Sequence, residues 1–330
     1  NYNVKQEYFK TTSILKTSFN NGFDKFEVID YMPRYQLKKN NYYSPPEISR
    51  IVRLVNGNPQ IKIIYDPKLD YSLGESKSYV KDDFIVTVSE NDNYETLYLY
   101  SNLNLNKILD SDKIELNSDL FFKISYYEKL LIPNLEDVLL ELKKTSNYWI
   151  NWISKTPSFK EFNNEILRSA LTLKLLTYEK TGAVLAAVTT SLPETIGEER
   201  NWDYRFCWIR DASMVIKVIT KLGHKNIVKN FIKFILDIIP DKNEKLQIMY
   251  GINGEKILTE KTLKHFSGYL DSSPVRIGNA AYSQKQNDIY GILMDAIHYQ
   301  IEKFPTENNE YEELWSIVKS IVWIVKNNWK

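Results

Sequence analysis

Between Asn201 and Ser213 the chain reads NWDYRFCWIRDAS. Trp202, Tyr204, Phe206 and Trp208 alternate with Asp203, Arg205 and Cys207, and the run continues into Arg210 and Asp211. A hydroxyl-rich ring calls for this mixture. Aromatic faces pack against the C–H faces of a pyranose, while carboxylate and guanidinium groups hydrogen-bond pairs of hydroxyls. A plainer reading stays open. Asp211 also suits an N-cap or first-turn acid favoured by the helix dipole, with Arg210 paired to it, and the aromatics also suit a buried cluster.

A second dense stretch runs over 250–286, with Tyr250-Gly251-Ile252-Asn253-Gly254-Glu255, then Arg276-Ile277-Gly278-Asn279, then Gln284 and Gln286, with Asp288 just beyond. Neutral amides such as Asn279, Gln284 and Gln286 suit hydroxyl recognition, and equally suit a helix cap and solvated positions. Tyr250-Gly251 and Asn253-Gly254 also read as turns. Cys207, set among large aromatics, reads as buried and inert. His265 and His298 have no visible partner constellation, and the three histidines and one cysteine lack zinc spacing.

The elements that must carry these loops fall into two halves. Residues 1–130 read as an antiparallel β-sandwich, with strand-like runs at 8–18, 26–32, 48–55, 61–65, 84–88, 94–101, 113–116 and 120–127. Turn clusters such as Asn56-Gly57-Asn58-Pro59 and Glu90-Asn91-Asp92-Asn93 separate them. After Pro133 the apolar period becomes helical. Residues 131–157 read as a linking helix and 158–330 as the first part of a helical barrel or an irregular bundle. Ser158 and Glu161 have capping-box spacing ahead of a helix over 159–178. Over 211–222, Met214, Val215, Val218, Ile219 and Leu222 are expected on one face, with Gly223 as the stop. Helices follow over 226–239, ended by Pro240, and over 283–303 and 308–329.

Composition narrows the partners. Lys plus Arg number 43 and Asp plus Glu 42, for a net charge of +1, so nothing points to nucleic acid or an anionic membrane. A neutral sugar fits. No apolar run of membrane-spanning length is present, and no cofactor is indicated. The single cysteine makes no demand on an oxidising compartment, which suits a cytoplasmic location. The start at Asn1 leaves secretion open.

Four blocks together resemble glycoside hydrolase family 15, which includes glucoamylases, glucodextranases and prokaryotic trehalases. They are TGAVLAAVTTSLPE (181–194), RNWDYRFCWIRDAS (200–213), YGINGE (250–255) and PVRIGNAAYSQKQNDIYG (274–291), in the family's order. The first 130 residues resemble the family's N-terminal β-sandwich more loosely. The resemblance implies an (α/α)6 barrel behind the β domain and inverting hydrolysis of an α-glucosidic bond at a non-reducing end. One carboxylic acid then protonates the leaving oxygen while a second carboxylate activates water on the opposite face. It implies that Arg210 and Asp211 grip the terminal glucose, that Tyr204 and Trp208 form its floor and wall, and that Asn279, Gln284 and Gln286 border the pocket.

The family's general acid lies in a G-I-W-E-like block soon after the fifth barrel helix, and its general base lies much later. Neither has a counterpart here, so no catalytic residue is assigned, and Glu198, Glu199 and Glu255 are not promoted to that role. The chain is expected to be an incomplete barrel, inactive alone and prone to self-association through exposed apolar helix edges. The leading expectation is a glucoamylase-like enzyme acting on α-glucans. The alternatives are an α,α-trehalase of the same family and a non-catalytic glycan-binding protein.

Overall fold

The structure, a computed structural model, describes residues 1–38, 41–91, 94–239, 246–304 and 308–328. The Asp92-Asn93 turn, the Pro240 stop and the Trp329-Lys330 end lie outside the described residues. Two compact units result, Asn1–Ile153 and Ser154–Lys330.

The first unit contains β1 (Asn3–Tyr8), β2 (Leu15–Asn20), β3 (Lys25–Tyr31), β4 (Tyr35–Lys38), β5 (Asn41–Tyr43), β6 (Glu47–Asn56) and β7 (Gln60–Lys62). It continues with β8 (Ser76–Lys81), β9 (Phe84–Ser89), β10 (Thr96–Ser101), helix α1 (Leu105–Leu109), β11 (Lys113–Glu115), β12 (Leu120–Tyr126) and helix α2 (Leu135–Ile153). Antiparallel strands followed by helices match the sequence reading. The pairing is one eight-stranded sheet, ordered β1-β2-β3-β6-β12-β10-β9-β8, with two small sheets, β4-β5 and β7-β11.

The sheet's two faces follow from the two-residue side-chain period. Leu120 and Phe122 of β12 join Phe26, Val52 and Leu99 in a core that also takes in Ile108 of α1 and Ile114 of β11. The alternate residues meet α2. Tyr31 donates to the Val138 carbonyl at 2.8 Å, and Lys123 Nζ lies 2.6 Å from Glu141 of α2 and 2.7 Å from Glu47. Helix α2, read from sequence as a linker, thus clusters with the strands.

The run expected as one strand over 8–18 is two strands around a turn. Thr11 has a φ of 61°, and the Phe9 amide donates to the Ile14 carbonyl at 2.9 Å. Ile14 is wholly buried, which explains why apolar content alone read as strand.

The second unit holds helix α3 (Asn163–Leu175), β13 (Cys207–Trp208), helix α4 (Ile209–Lys221), helix α5 (Lys225–Ile238), β14 (Met249–Tyr250), β15 (Lys261–Thr262), β16 (Arg276–Ile277), helix α6 (Asp288–Lys303) and helix α7 (Asn308–Asn328). Helix α4 packs against α3, α5 and α6, while α7 packs against α5 and α6. Two sequence expectations are corrected here. The Ser158–Glu161 capping box does not open α3, because Phe162 takes a left-handed φ of 53° and the helix begins at Asn163. On α4 the buried face is Ile209, Ala212, Ser213, Ile216, Ile219 and Thr220, while Met214 and Val218 are exposed. Small Ala212 and Ser213 allow close helix approach, and the larger apolar residues misled the periodicity. Gly223 does end α4, with a φ of 86° and its amide on the Thr220 carbonyl. Among the described residues no helix is long and apolar enough to cross a membrane.

Candidate functional site

The segment between α3 and α4 folds back on itself. The amides of Ala186, Ala187 and Ser191 donate to the carbonyls of Phe206, Tyr204 and Trp202, each at 3.0 Å. The ribbon continues into β13, which pairs with β14, and the Ile209 amide donates to the Ile248 carbonyl at 2.9 Å. These backbone bonds fix where α4 begins. Trp208 stands at its N-cap, and Arg210 and Asp211 occupy its first turn. Cys207, fully buried beside them, has its thiol pushed up to about 12 by burial, as expected of an inert cysteine.

Four of the predicted residues come together at this turn. The Tyr204 and Trp208 rings lie 6.1 Å apart, tilted by 54°. The Arg210 guanidinium sits 5.7 Å from the Trp208 ring, within cation–π reach. Its Nη2 lies 3.3 Å from Asp211 Oδ2. That pair is an ionic contact and not a hydrogen bond, since the buried Asp211 Oδ2 has no hydrogen-bond partner among the described residues. The buried Trp208 Nε1 also has none among the described residues. Burial raises the Tyr204 phenol, and nearby Glu194, which accepts from it at 3.5 Å, raises it further.

Arg210 also reaches the second loop. Its Nη1 lies 3.5 Å from Gln286 Oε1 and 3.5 Å from Asp288 Oδ2. Gln286 Nε2 in turn donates to Gln284 Oε1 at 3.2 Å. Gln284 and Gln286 therefore border the Arg210 cluster in series. Asp288 completes the guanidinium's surroundings. Its signal was the Gln284-x-Gln286-x-Asp288 alternation entering a helix.

Asn279 is placed differently. It is buried, its side-chain Oδ1 accepts from the Ala281 amide at 3.0 Å, and its side-chain Nδ2 donates to the Asp203 carbonyl at 3.1 Å. It works as a cap and a clip between loops, so the capping reading is the one its contacts favour.

The residues that sequence reasoning passed over are the fasteners. Asp203, fully buried, receives Arg205 Nε at 2.9 Å and Nη2 at 2.8 Å, and also the Gly278 amide at 3.0 Å. Arg276 lies over Trp202, 4.4 Å from its ring centre, and donates to the Glu199 carbonyl at 2.8 Å. Asn201 donates to the carbonyls of Glu198 and Ser272 at 2.9 and 3.1 Å. Residues 201, 202, 203 and 205 are thereby held within the protein, and Tyr204 is presented at the Trp208–Arg210 cluster.

The remaining acids have local duties or none. Burial alone would raise the Glu255 carboxyl, but bonds from the Asn253 amide and side chain at 3.0 and 2.8 Å outweigh it and hold it below the usual range. Glu198 and Glu199 are exposed. Among the described residues no group of His, Cys, Asp and Glu is arranged to hold a metal ion. What the cluster can do is stack a ring on Tyr204 and Trp208 and bond adjacent hydroxyls through Arg210 and Asp211.

Comparison with known proteins gives the chain's relatives. The family described as glycosyl hydrolases family 15 matches residues 160–330. A trehalase of Mycolicibacterium smegmatis is 36% identical over 85% of this chain and 44% of its own length. A trehalase of Thermoplasma acidophilum is 34% identical over 99% of this chain and 55% of its own. The chain therefore spans about half the length of the curated relatives it matches. A bacterial glucoamylase solved in complex with acarbose has the same fold, with a TM-score of 0.60 at 14% identity, over 99% of this chain and 50% of that one.

Proposed function

The chain belongs to glycosyl hydrolase family 15, and from that premise we propose that it is the glucose-holding part of an α,α-trehalase, with α3 to α7 contributing to an (α/α)6 barrel. The observation that carries the choice of substrate is the identity of 34–36% with trehalases along 85–99% of the chain. The glucoamylase-like reading, which the sequence placed first, is supported only at the level of the family and the fold. Trehalose and α-glucans share a terminal glucose, so Tyr204, Trp208, Arg210 and Asp211 serve either substrate. That is why the sequence motif alone favoured the wider class.

In this proposal the aromatic pair stacks one glucose ring and the Arg210–Asp211 pair bonds its hydroxyls. Hydrolysis then needs an acid to protonate the bridging oxygen and a base to activate water on the opposite face. No residue of this chain is assigned to either role, and the chain spans about half the length of the curated relatives it matches. The lone buried Cys207, which needs no disulfide, suits a cytoplasmic site of action.

The test is glucose release by the complete gene product from trehalose, maltotriose and isomaltotriose. Preference for trehalose supports the proposal. Preference for maltotriose returns the assignment to a glucoamylase-like enzyme. Sugar binding without release from any of the three makes it a glycan-binding protein.

A further inference from the structure

Two neighbouring loops of the second unit hold large apolar side chains out in solvent. Leu192 and Ile196 stand on the loop after Ser191, and Tyr269 and Leu270 on the loop between β15 and β16, with Ile196 and Leu270 each 61% exposed. The loops are fastened side by side. The Gly197 amide donates to Ser272 Oγ at 2.8 Å, and Asn201 Nδ2 donates to the Ser272 carbonyl at 3.1 Å. Ile196 and Leu270 therefore belong to one surface.

The second loop is built to display its apolar residues. Leu270 sits at φ 48° and ψ 48°, and Asp271 at φ 58°, a left-handed conformation that is costly for a bulky side chain. The turn is closed tightly beneath them, with the Ser272 amide on the Tyr269 carbonyl at 3.1 Å and Gly268 so near that a Cβ there would lie 2.1 Å from the Ser272 carbonyl oxygen. Strain that buries nothing within its own chain is accounted for when a partner covers the residue it displays.

The two loops also carry opposite charge. Glu198 and Glu199 lie on the first, and Lys261 and Lys264 lead into the second, where Asp271 offsets one of them. All four are exposed, and none makes an ion pair among the described residues. Their neighbours are already matched, Glu194 by Arg200 at 3.6 Å and Glu260 by Arg276 at 3.2 Å.

We propose that these loops form a two-fold interface with a second copy of this chain. An isologous contact must be self-complementary, and a two-fold axis through the apolar patch lays the acidic loop of each copy on the basic loop of the other. A rim of one sign would repel its own copy and call for a different partner. The proposal holds whichever glycoside is cleaved. It places the partner copy beside the sugar cluster, because Glu194 of the acidic loop accepts from Tyr204 at 3.5 Å.

Sedimentation velocity of the complete gene product over a concentration series tests this. A dimer is expected. Leu270→Gly suits the left-handed backbone, so it should weaken the dimer about tenfold or more without lowering the melting temperature of the monomer. Glu198→Lys with Glu199→Lys, and separately Lys261→Glu with Lys264→Glu, should each yield monomers, and mixing the two variants should restore a dimer. Should Leu270→Gly fail to fold, shown by a lost melting transition, the mixing experiment decides. A dimer that survives Leu270→Gly and both charge reversals overturns the proposal, since association then runs through another surface such as the helix edges. Charge variants that dissociate but do not recombine on mixing overturn it too. So does a monomer at every concentration, and hydrogen exchange over 264–272 then tells whether the loops are covered within one chain or stay open to a different partner.

Discussion

The guanidinium of Arg276 lies over the indole of Trp202, 4.4 Å from the ring centre. The first tryptophan of the NWDYRFCWIRDAS run is therefore covered by its own protein, and Tyr204 and Trp208 are the rings that adjoin Arg210. The same contact ties the ribbon ahead of α4 to the loop ahead of α6, which is how two stretches far apart in sequence share one site.

The Asp203 carboxylate should be the strongest single fastener of that joint. Asp203→Ala would leave the half-buried Arg205 guanidinium and Gly278 amide without their buried partner. Removing one side of a buried, hydrogen-bonded ion pair costs about 3–5 kcal/mol. Denaturant unfolding of the variant is expected to show a loss of that order. A loss under about 1 kcal/mol would mean that the pair is exposed in solution.

Arg210→Lys tests the fork geometry. The guanidinium meets Asp211 through Nη2 and both Gln286 and Asp288 through Nη1, whereas an ammonium is a point charge on a flexible stem. Glucose affinity should fall about tenfold or more, with the melting temperature little changed because the group is partly exposed. Unaltered affinity on titration would remove Arg210 from the binding role.

In the first unit, Lys123 neutralises Glu47 and Glu141 within 2.7 Å, and all three side chains are largely shielded from solvent. Lys123→Met leaves two carboxylates without their cation between sheet and helix α2. A destabilisation of about 3–5 kcal/mol is expected in denaturant unfolding followed by a probe in this unit. Stability at or above wild type would show that the carboxylates simply take up protons.

His224 should make the second unit acid-sensitive. It is buried, bonds Thr156 at 2.8 Å, and burial, with Lys174 and Lys155 nearby, lowers its imidazole to about 4 from 6.5. Between those values the unfolded chain binds the additional proton. Its contribution is fully present above about pH 6.5 and is lost as the pH falls towards 4. His224→Gln should narrow the drop in melting temperature across that window, by an energy of at most about 3 kcal/mol before allowance for solvent screening. Parallel curves for wild type and variant would contradict this.

Much of the fold was legible because its core elements carry strong apolar periods. Helix α2 lies inside its expected bounds, four residues short at each end, and strands β3, β6, β9 and β12 lie where the apolar runs are. Within the eight-stranded sheet the strand wholly missed, β8, is an edge, and the other edge, β1, was seen only at Tyr8. Their sequences, SKSYVK and NVKQEY, are polar because an edge strand must discourage pairing with another chain. The same blindness hid the fasteners of the site. Asp203, Arg205 and Arg276 lay in the dense stretches without an assigned role, because their partners become visible only in the fold. Asn279 stayed open between a helix cap and a pocket amide because its partner, the Asp203 carbonyl, is 76 positions away.

The assignment rests on which glycoside is cleaved. Initial rates of glucose release by the complete gene product, measured side by side on trehalose and maltotriose and repeated with Asp211→Ala, test it most directly. The account predicts a higher kcat/KM on trehalose, lost by at least about a hundredfold in the variant. Faster release from maltotriose, or a variant as active as wild type, would contradict it.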